Sequence, residues 1–253
     1  VFHEIETNGI GYLDLMFDLS DVPEKDLPMV GLLQAVLGII DTEHYEYGEL
    51  FNEINRHTGG IGTSLEFYPD VTKVREKEFR ATFEIKAKAL YGQIPFAIRM
   101  MKEILTASKL DDEKRLKEIL SMTKTRLQDR FLSAGHSAAA LRAMSYKSPL
   151  SKFKDTTNGI GYYQNIREME EHFEDKKEEI INSLKALSEL IFRKGNMMIS
   201  YTATREGLAV LEEEIGSLKE ALYPERTPES RCILHCEKKN EGFKTSSKVQ
   251  FAA

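Results

Sequence analysis

Residues 56–69 read RHTGGIGTSLEFYP, with Gly59, Gly60 and Gly62 crowded ahead of alternating apolar positions. Whether those glycines cradle a phosphate or end a helix decides the fold class, because a phosphate loop runs strand, glycines, helix. Here the order is reversed. Leu50, Phe51 and Ile54 recur at helical spacing over residues 45–57, and the run stops at Thr58-Gly59-Gly60. Ile61, Thr63, Leu65 and Phe67 then alternate with Gly62, Ser64, Glu66 and Tyr68, the period of a strand. The unpaired groups beside Gly59 are therefore helix C-terminal carbonyls, which repel phosphate. No Lys-Ser or Lys-Thr pair follows at P-loop spacing. We read a helix C-cap that launches a strand.

Working outward, PDVTKVREK (69–77) is a polar turn region. Beyond it Phe79, Ala81, Phe83, Ile85, Ala87 and Ala89 face one way while Arg80, Thr82, Glu84, Lys86 and Lys88 face the other. That is a long strand with one wet face, paired with 61–68 as a hairpin. Upstream, Leu13, Leu15, Phe17 and Leu19 alternate with Asp14, Met16 and Asp18 as a first strand. PMVGLLQAVLGII (28–40) is apolar all round and reads as a buried helix, with Gly31 and Gly38 allowing close packing.

Downstream the period becomes 3.6. One stripe is Ile94, Ala97, Ile98, Met101, Ile104 and Leu105; a second, after Asp111-Asp112-Glu113, is Leu116, Ile119, Leu120, Thr123, Leu127 and Phe131. Residues 134–148 suggest a third, short helix ended before Pro149. Met169, Phe173, Ile180, Leu184, Leu187 and Ile191 mark a fourth, long one, with EMEEHFEDKKEE (168–179) as its solvated face. NMMISYTAT (196–204) reads as a buried strand, and Leu208, Leu211, Ile215, Leu218 and Leu222 as a closing helix. The predicted order is β-α-α-β-β-α-α-α-α-β-α, an α+β fold with a mostly antiparallel sheet packed against several helices. TNGIGY occurs at 7–12 and again at 157–162, but the flanks differ completely, so we treat the echo as coincidence rather than a repeat.

Composition narrows the function classes. The chain has 253 residues, 41% hydrophobic and 30% charged, with no apolar run near the roughly 18 residues a membrane span needs. A net charge of -6 disfavours nucleic acid as a partner. Two cysteines make no disulfide framework and point to a reducing compartment. The opening Val-Phe-His-Glu has neither a start methionine nor a signal peptide, so we expect an excised fragment.

No internally complete active site emerges, and we expect no catalytic and no metal-binding residue. His3, His44, His57, His136, His172 and His235 include no pair three to five apart, so no helical two-histidine zinc site exists. The neighbours Glu43-His44 and His3-Glu4 read as surface pairs. Cys232, His235 and Cys236 form a C-x-x-H-C cluster, but a closed zinc site needs four ligands, and we read chance occupancy of a linker. Ser137 beside His136 lacks a nucleophile-elbow context.

The stretch NGIGYLDLMFDLSDVPEKDLPMVGLLQAVLGIIDTEHYEYGELFNEINRHTGGIGTS (8–64) resembles the opening of the C-terminal half of insulinase-type zinc metallopeptidases (inverzincins), in their presequence-protease and falcilysin-like subfamily. The landmarks are an N-G-I-x-Y-L-x-L-x-F-D strand, DLP leading a buried helix, then Y-x-x-L and TGGI ahead of the hairpin. The resemblance implies a non-catalytic domain of the third type at residues 1–223, a linker at 224–236, and the first strand of a truncated following domain at 237–253. It implies four related domains closing as two bowls around a peptide, with zinc bound by H-x-x-E-H in the first. The corresponding helix here, residues 28–40, has no His and no Glu, so the zinc belongs to the full-length parent and no cofactor to this fragment. The partners implied are the N-terminal catalytic half of the same polypeptide and unfolded peptides, with no nucleic acid and no membrane. The compartment is cytoplasmic, or an organelle matrix if the missing N-terminus carries a transit peptide.

The strand after the glycines corresponds to one that pairs with substrate in the catalytic half, which makes Ile61, Thr63, Ser64, Leu65, Glu66 and Phe67 the candidate peptide-contacting residues. The function expected is part of the chamber wall of a zinc metalloendopeptidase that degrades unfolded, presequence-type peptides. The alternatives are a non-catalytic scaffold subunit of the same fold and an independent peptide-binding module.

Overall fold

The computed structural model describes residues 1–72, 78–225, 233–244 and 251. Five strands, β1 (Phe2–Glu4), β2 (Ile10–Asp18), β3 (Ile61–Pro69), β4 (Phe79–Leu90) and β5 (Met197–Ala203), form one sheet in the order β1-β5-β2-β4-β3. Every pairing is antiparallel except β1 with β5. The register sets Leu15 opposite Ile85 on one side and Ile199 on the other, and Phe17 opposite Phe83. Alternation then does the rest: Leu13, Leu15, Phe17, Phe83, Ile85 and Tyr201 are all buried on one face.

That face is covered by helices. Phe192 stands edge-on beneath the sheet, its ring centroid 5.1 Å from Phe17 and 5.2 Å from Phe83. α1 (Leu27–Val36) touches β3, while α3 (Ile94–Thr106) packs on β4 and α9 (Arg205–Ala221) on β5. α4 (Glu113–Ser133), α6 (Pro149–Asn158), α7 (Ile160–Glu171) and α8 (Phe173–Ile191) close over α1 from the other side. α1 is therefore enclosed on all sides, as its all-round apolar sequence requires. α2 (Tyr47–His57) is amphipathic and buries Leu50 and Ile54. No described helix is long and apolar enough to cross a membrane.

The order differs from the expected one in three places. β1 is an extra short strand. Residues 149–158 form α6, with Ser148 accepting from the Ser151 N–H and Pro149 in the first turn, so the proline expected to end the helix over 134–148 instead starts the next one, while α5 (Gly135–Ser145) stops at Ser145. The long helix anticipated through 169–191 breaks at His172 into α7 and α8, with neither glycine nor proline to announce it. The run 168–179 is also more than a wet face: Lys124 reaches Glu170, and Lys117 and Glu113 of α4 reach Glu174 and Lys177 at 2.6–2.7 Å.

The two copies of TNGIGY take unrelated conformations. The first places Asn8 and Gly9 at positive φ (52° and 80°) before β2. The second ends α6 and starts α7, with the buried Asp155 carboxylate accepting from the Ile160 and Gly161 N–H groups. Residues 233–244 contain neither helix nor strand.

Gly31 brings α1 against this α6–α7 junction. A Cβ there would lie 2.5 Å from the Thr157 carbonyl oxygen and 2.7 Å from Tyr162 Cε2. Gly31→Ala should therefore destabilise the domain by about 1–3 kcal/mol, despite the roughly 1 kcal/mol that alanine gains over glycine in helices. Urea unfolding checks this: a lower midpoint is expected, and an unchanged or higher one contradicts the packing.

Candidate functional site

β3 is an edge strand, so among the described residues one rim of its backbone has no strand partner. Asp70 N–H donates to the Glu78 carbonyl and Lys88 N–H to the Gly60 carbonyl, which identifies the even-numbered residues as those turned toward β4. By the alternation of an antiparallel pair, Ile61, Thr63, Leu65 and Phe67 turn their backbone groups to the free rim. At Thr63 that rim is occupied: its carbonyl accepts from Gln34 Nε2 at 3.2 Å and its hydroxyl donates to the Gln34 carbonyl at 3.1 Å. Proline at position 69 has no N–H to offer. The clear stretch of rim is Leu65 to Phe67.

The six strand residues anticipated as peptide contacts lie together but divide between faces. Ile61, Thr63, Leu65 and Phe67 stand opposite Ala87, Ile85, Phe83 and Ala81 on the helix-covered face. Phe67 packs edge-on against Phe153, with Lys154 over its ring. Ser64 and Glu66 stand opposite Glu84 and Thr82 on the second face.

That second face is open. Tyr12, Tyr68 and Met198 are each more than 40% exposed on it. At one end lies a hollow of about 760 Å³ lined in part by Met16, Tyr68, Arg80, Asn196 and Met198. Arg80 Nε is 3.3 Å from Asp18 Oδ2 there.

At the centre the sequence reading needs correction. Thr82 and Glu84, expected to be wet, are 3% and 0% exposed. Glu84 Oε1 accepts from the Thr82 hydroxyl at 2.6 Å and the Tyr68 hydroxyl at 2.8 Å, while Oε2 lies 2.8 Å from Lys86 Nζ. Lys86 also pairs with Glu66 at 3.2 Å and Asp14 at 3.9 Å. The side chains of three strands close over one carboxylate, and nothing in the β4 pattern alone announces it. The signal lies in the register that brings Asp14, Glu66 and Lys86 together, and register is not readable from a single strand.

Charge follows from this arrangement. Burial works to raise the Glu84 carboxyl, but hydrogen bonds from Lys86, Thr82 and Tyr68 outweigh it and hold Glu84 below its usual range. Burial, then the Glu84 charge, push Asp14 up to about 7, and its buried Oδ1 receives no hydrogen bond. Burial and the same carboxylate push Tyr68 up to about 12.

Elsewhere three histidines are tied to carboxylate partners. His44 turns to Glu103, at 3.0 Å, rather than to Glu43. His57 pairs with Glu53 and His235 with Glu24. Cys236 is exposed and free, and Cys232 lies outside the described residues. Among the described residues no three His, Cys, Asp or Glu side chains converge on a point that could hold a metal. α1, where the resemblance would put zinc ligands, offers Gln34 as its one polar side chain, and that is spent on Thr63. The residues present do not fit zinc.

With this geometry in place, comparison with known proteins is informative. The family model described as Peptidase M16C associated matches residues 1–169. Protein HypA of Clostridium perfringens is 35% identical over 99% of this chain and 25% of its own length. Presequence protease 1, chloroplastic/mitochondrial, of Arabidopsis thaliana is 24% identical over 87% of this chain and 20% of its own. The chain thus spans a quarter or less of these relatives. A crystal structure titled as a peptidase M16 inactive domain, from Pseudomonas fluorescens, superposes with a TM-score of 0.55 at 14% identity, covering 94% of this chain and 50% of that one, and shares the fold.

Asp14 provides a test of the polar cluster. It holds its proton more tightly folded than unfolded, so stability falls as pH rises from the unfolded value of 3.8 to about 7. Asp14→Asn should flatten that part of the stability profile and leave the variant more stable than the parent above pH 7, as read by urea midpoints across the range. Parallel profiles for the two proteins would contradict the buried proton.

Proposed function

The chain belongs to the Peptidase M16C associated family, as a non-catalytic domain of insulinase-type metallopeptidases, and from that premise we propose that it walls a peptide-enclosing chamber in a larger zinc metalloendopeptidase. The observation that carries the reading is the one-sided sheet: helices bury one face, and the other is open, with exposed Tyr12, Tyr68 and Met198 and a hollow at one end. A wall needs that asymmetry, a rigid packed back and a wet inner surface that passes a mobile peptide without gripping it. The partners on this reading are the N-terminal catalytic half of the same polypeptide and unfolded, presequence-type peptides. Enclosure limits substrates by size and excludes bulk solvent. Residues 1–223 act as the unit and residues 224–236 link it onward. The compartment is the cytoplasm or an organelle matrix, the latter following the mitochondrial and chloroplastic relatives.

Strand addition at β3 is a narrower contribution to the same task. A peptide pairing there has Leu65 and Phe67 to bond with, a short ladder that favours brief contact over tight binding. Its side chains would alternate between the Phe67 side and the Glu66 side of the rim.

Two measurements test this. In the full-length polypeptide, an unfolded peptide bearing a photoreactive residue should label Met16, Tyr68 or Met198 and spare the exposed Met122 on α4; labelling confined to α4 would reverse the assignment of inner and outer faces. The chain by itself, given zinc and a quenched peptide, should show no hydrolysis above buffer, and turnover abolished by a chelator would refute the non-catalytic role.

A further inference from the structure

A mostly buried arginine on the helical layer grips the segment that follows α9. Arg142 of α5 has a side chain 12% exposed. Its Nη1 donates to Asp155 Oδ2 at 2.6 Å. Its Nε donates to Glu241 Oε2 at 3.0 Å, and its Nη2 to Glu241 Oε1 and Oε2 at 2.9 and 2.8 Å. The Tyr146 hydroxyl adds a bond to Glu241 Oε2 at 3.2 Å, and the rings of Tyr146 and Phe243 lie 5.6 and 5.7 Å from the guanidinium carbon.

This is a forked, shielded carboxylate contact flanked by aromatic rings, unlike the exposed ion pairs between α4 and α8. A second anchor lies upstream in the same segment: the His235 N–H and Nδ1 meet Glu24 Oε2 at 3.0 and 3.1 Å, and Leu234 packs on the core. The cradle is built into the domain, because Asp155 is 0% exposed and also accepts the first N–H groups of α7.

We propose that residues 233–244 are a docked strap: the Arg142 cradle is an interaction surface for an extended segment bearing a carboxylate two residues before an aromatic ring, and its occupant is this chain's own Glu241-Gly242-Phe243. The strap holds residues 233–244 against the helical layer. Burial acts to weaken the Arg142 charge, but hydrogen bonds to Asp155 and Glu241 raise its proton affinity overall.

Backbone order parameters of the whole isotope-labelled chain test the idea. Those of His235 and Glu241–Phe243 should be near 0.8, and in Glu241→Ala and Phe243→Ala those of residues 238–244 should fall below about 0.6. The Ile160 and Gly161 amide signals should stay in place in both variants, since the Arg142–Asp155 pair is untouched and the fold is retained. Values already below about 0.6 in the parent chain, or values unmoved by Glu241→Ala, would overturn the strap.

Discussion

The enclosure of α1 is the constraint on which the rest of the structure rests. That helix lies between the sheet and a second helical layer, and at Gly31 its backbone comes into direct contact with the Thr157 carbonyl and the Tyr162 ring. A helix so placed must be apolar on every side, because a charged group there would lose its water without a partner to replace it. The same requirement separates this domain from a catalytic one of similar plan. The helix is built from Leu27, Met29, Val30, Leu32, Leu33 and Val36 and carries no His, Cys, Asp or Glu that could hold a metal.

Much of the fold was legible because its periods are clean. β2, β4 and α3 show undisturbed alternation or stripe, and the helix–glycine–strand order at 56–69 settled both the hairpin and the absence of a phosphate loop there. What stayed hidden depended on tertiary partners. α6 has little hydrophobic stripe of its own; its Phe153 is meaningful only against Phe67 and Phe79. The break at His172 has no local cause in the sequence. The identical TNGIGY segments show the limit most directly: six residues form a turn and strand in one setting and a helix junction in the other, so context outweighs intrinsic preference.

The candidate surface was legible in part for the same reason. The strand was identifiable from its alternation, but its place at the sheet edge and the closing of its rim by Gln34 required knowing the sheet order and that α1 ends beside Thr63. Glu84 read as solvated because Lys86 and Lys88 share its face; only the register with β2 and β3 shows that Tyr68, Lys86 and Asp14 cover it. The Glu84 carboxylate is thus held at the centre of an otherwise wet face by the Thr82 and Tyr68 hydroxyls and the Lys86 ammonium.

The contact of Gln34 with Thr63 has a consequence for the protein's life at high concentration. An uncovered edge strand is a template on which identical chains can add, sheet upon sheet, toward fibrils. Here one side-chain amide occupies the middle of the rim and a proline closes its far end. The run left open, among the described residues, is Leu65 to Phe67. The same two residues, Gln34 and Pro69, shorten the stretch of β3 on which a second copy of the chain could add.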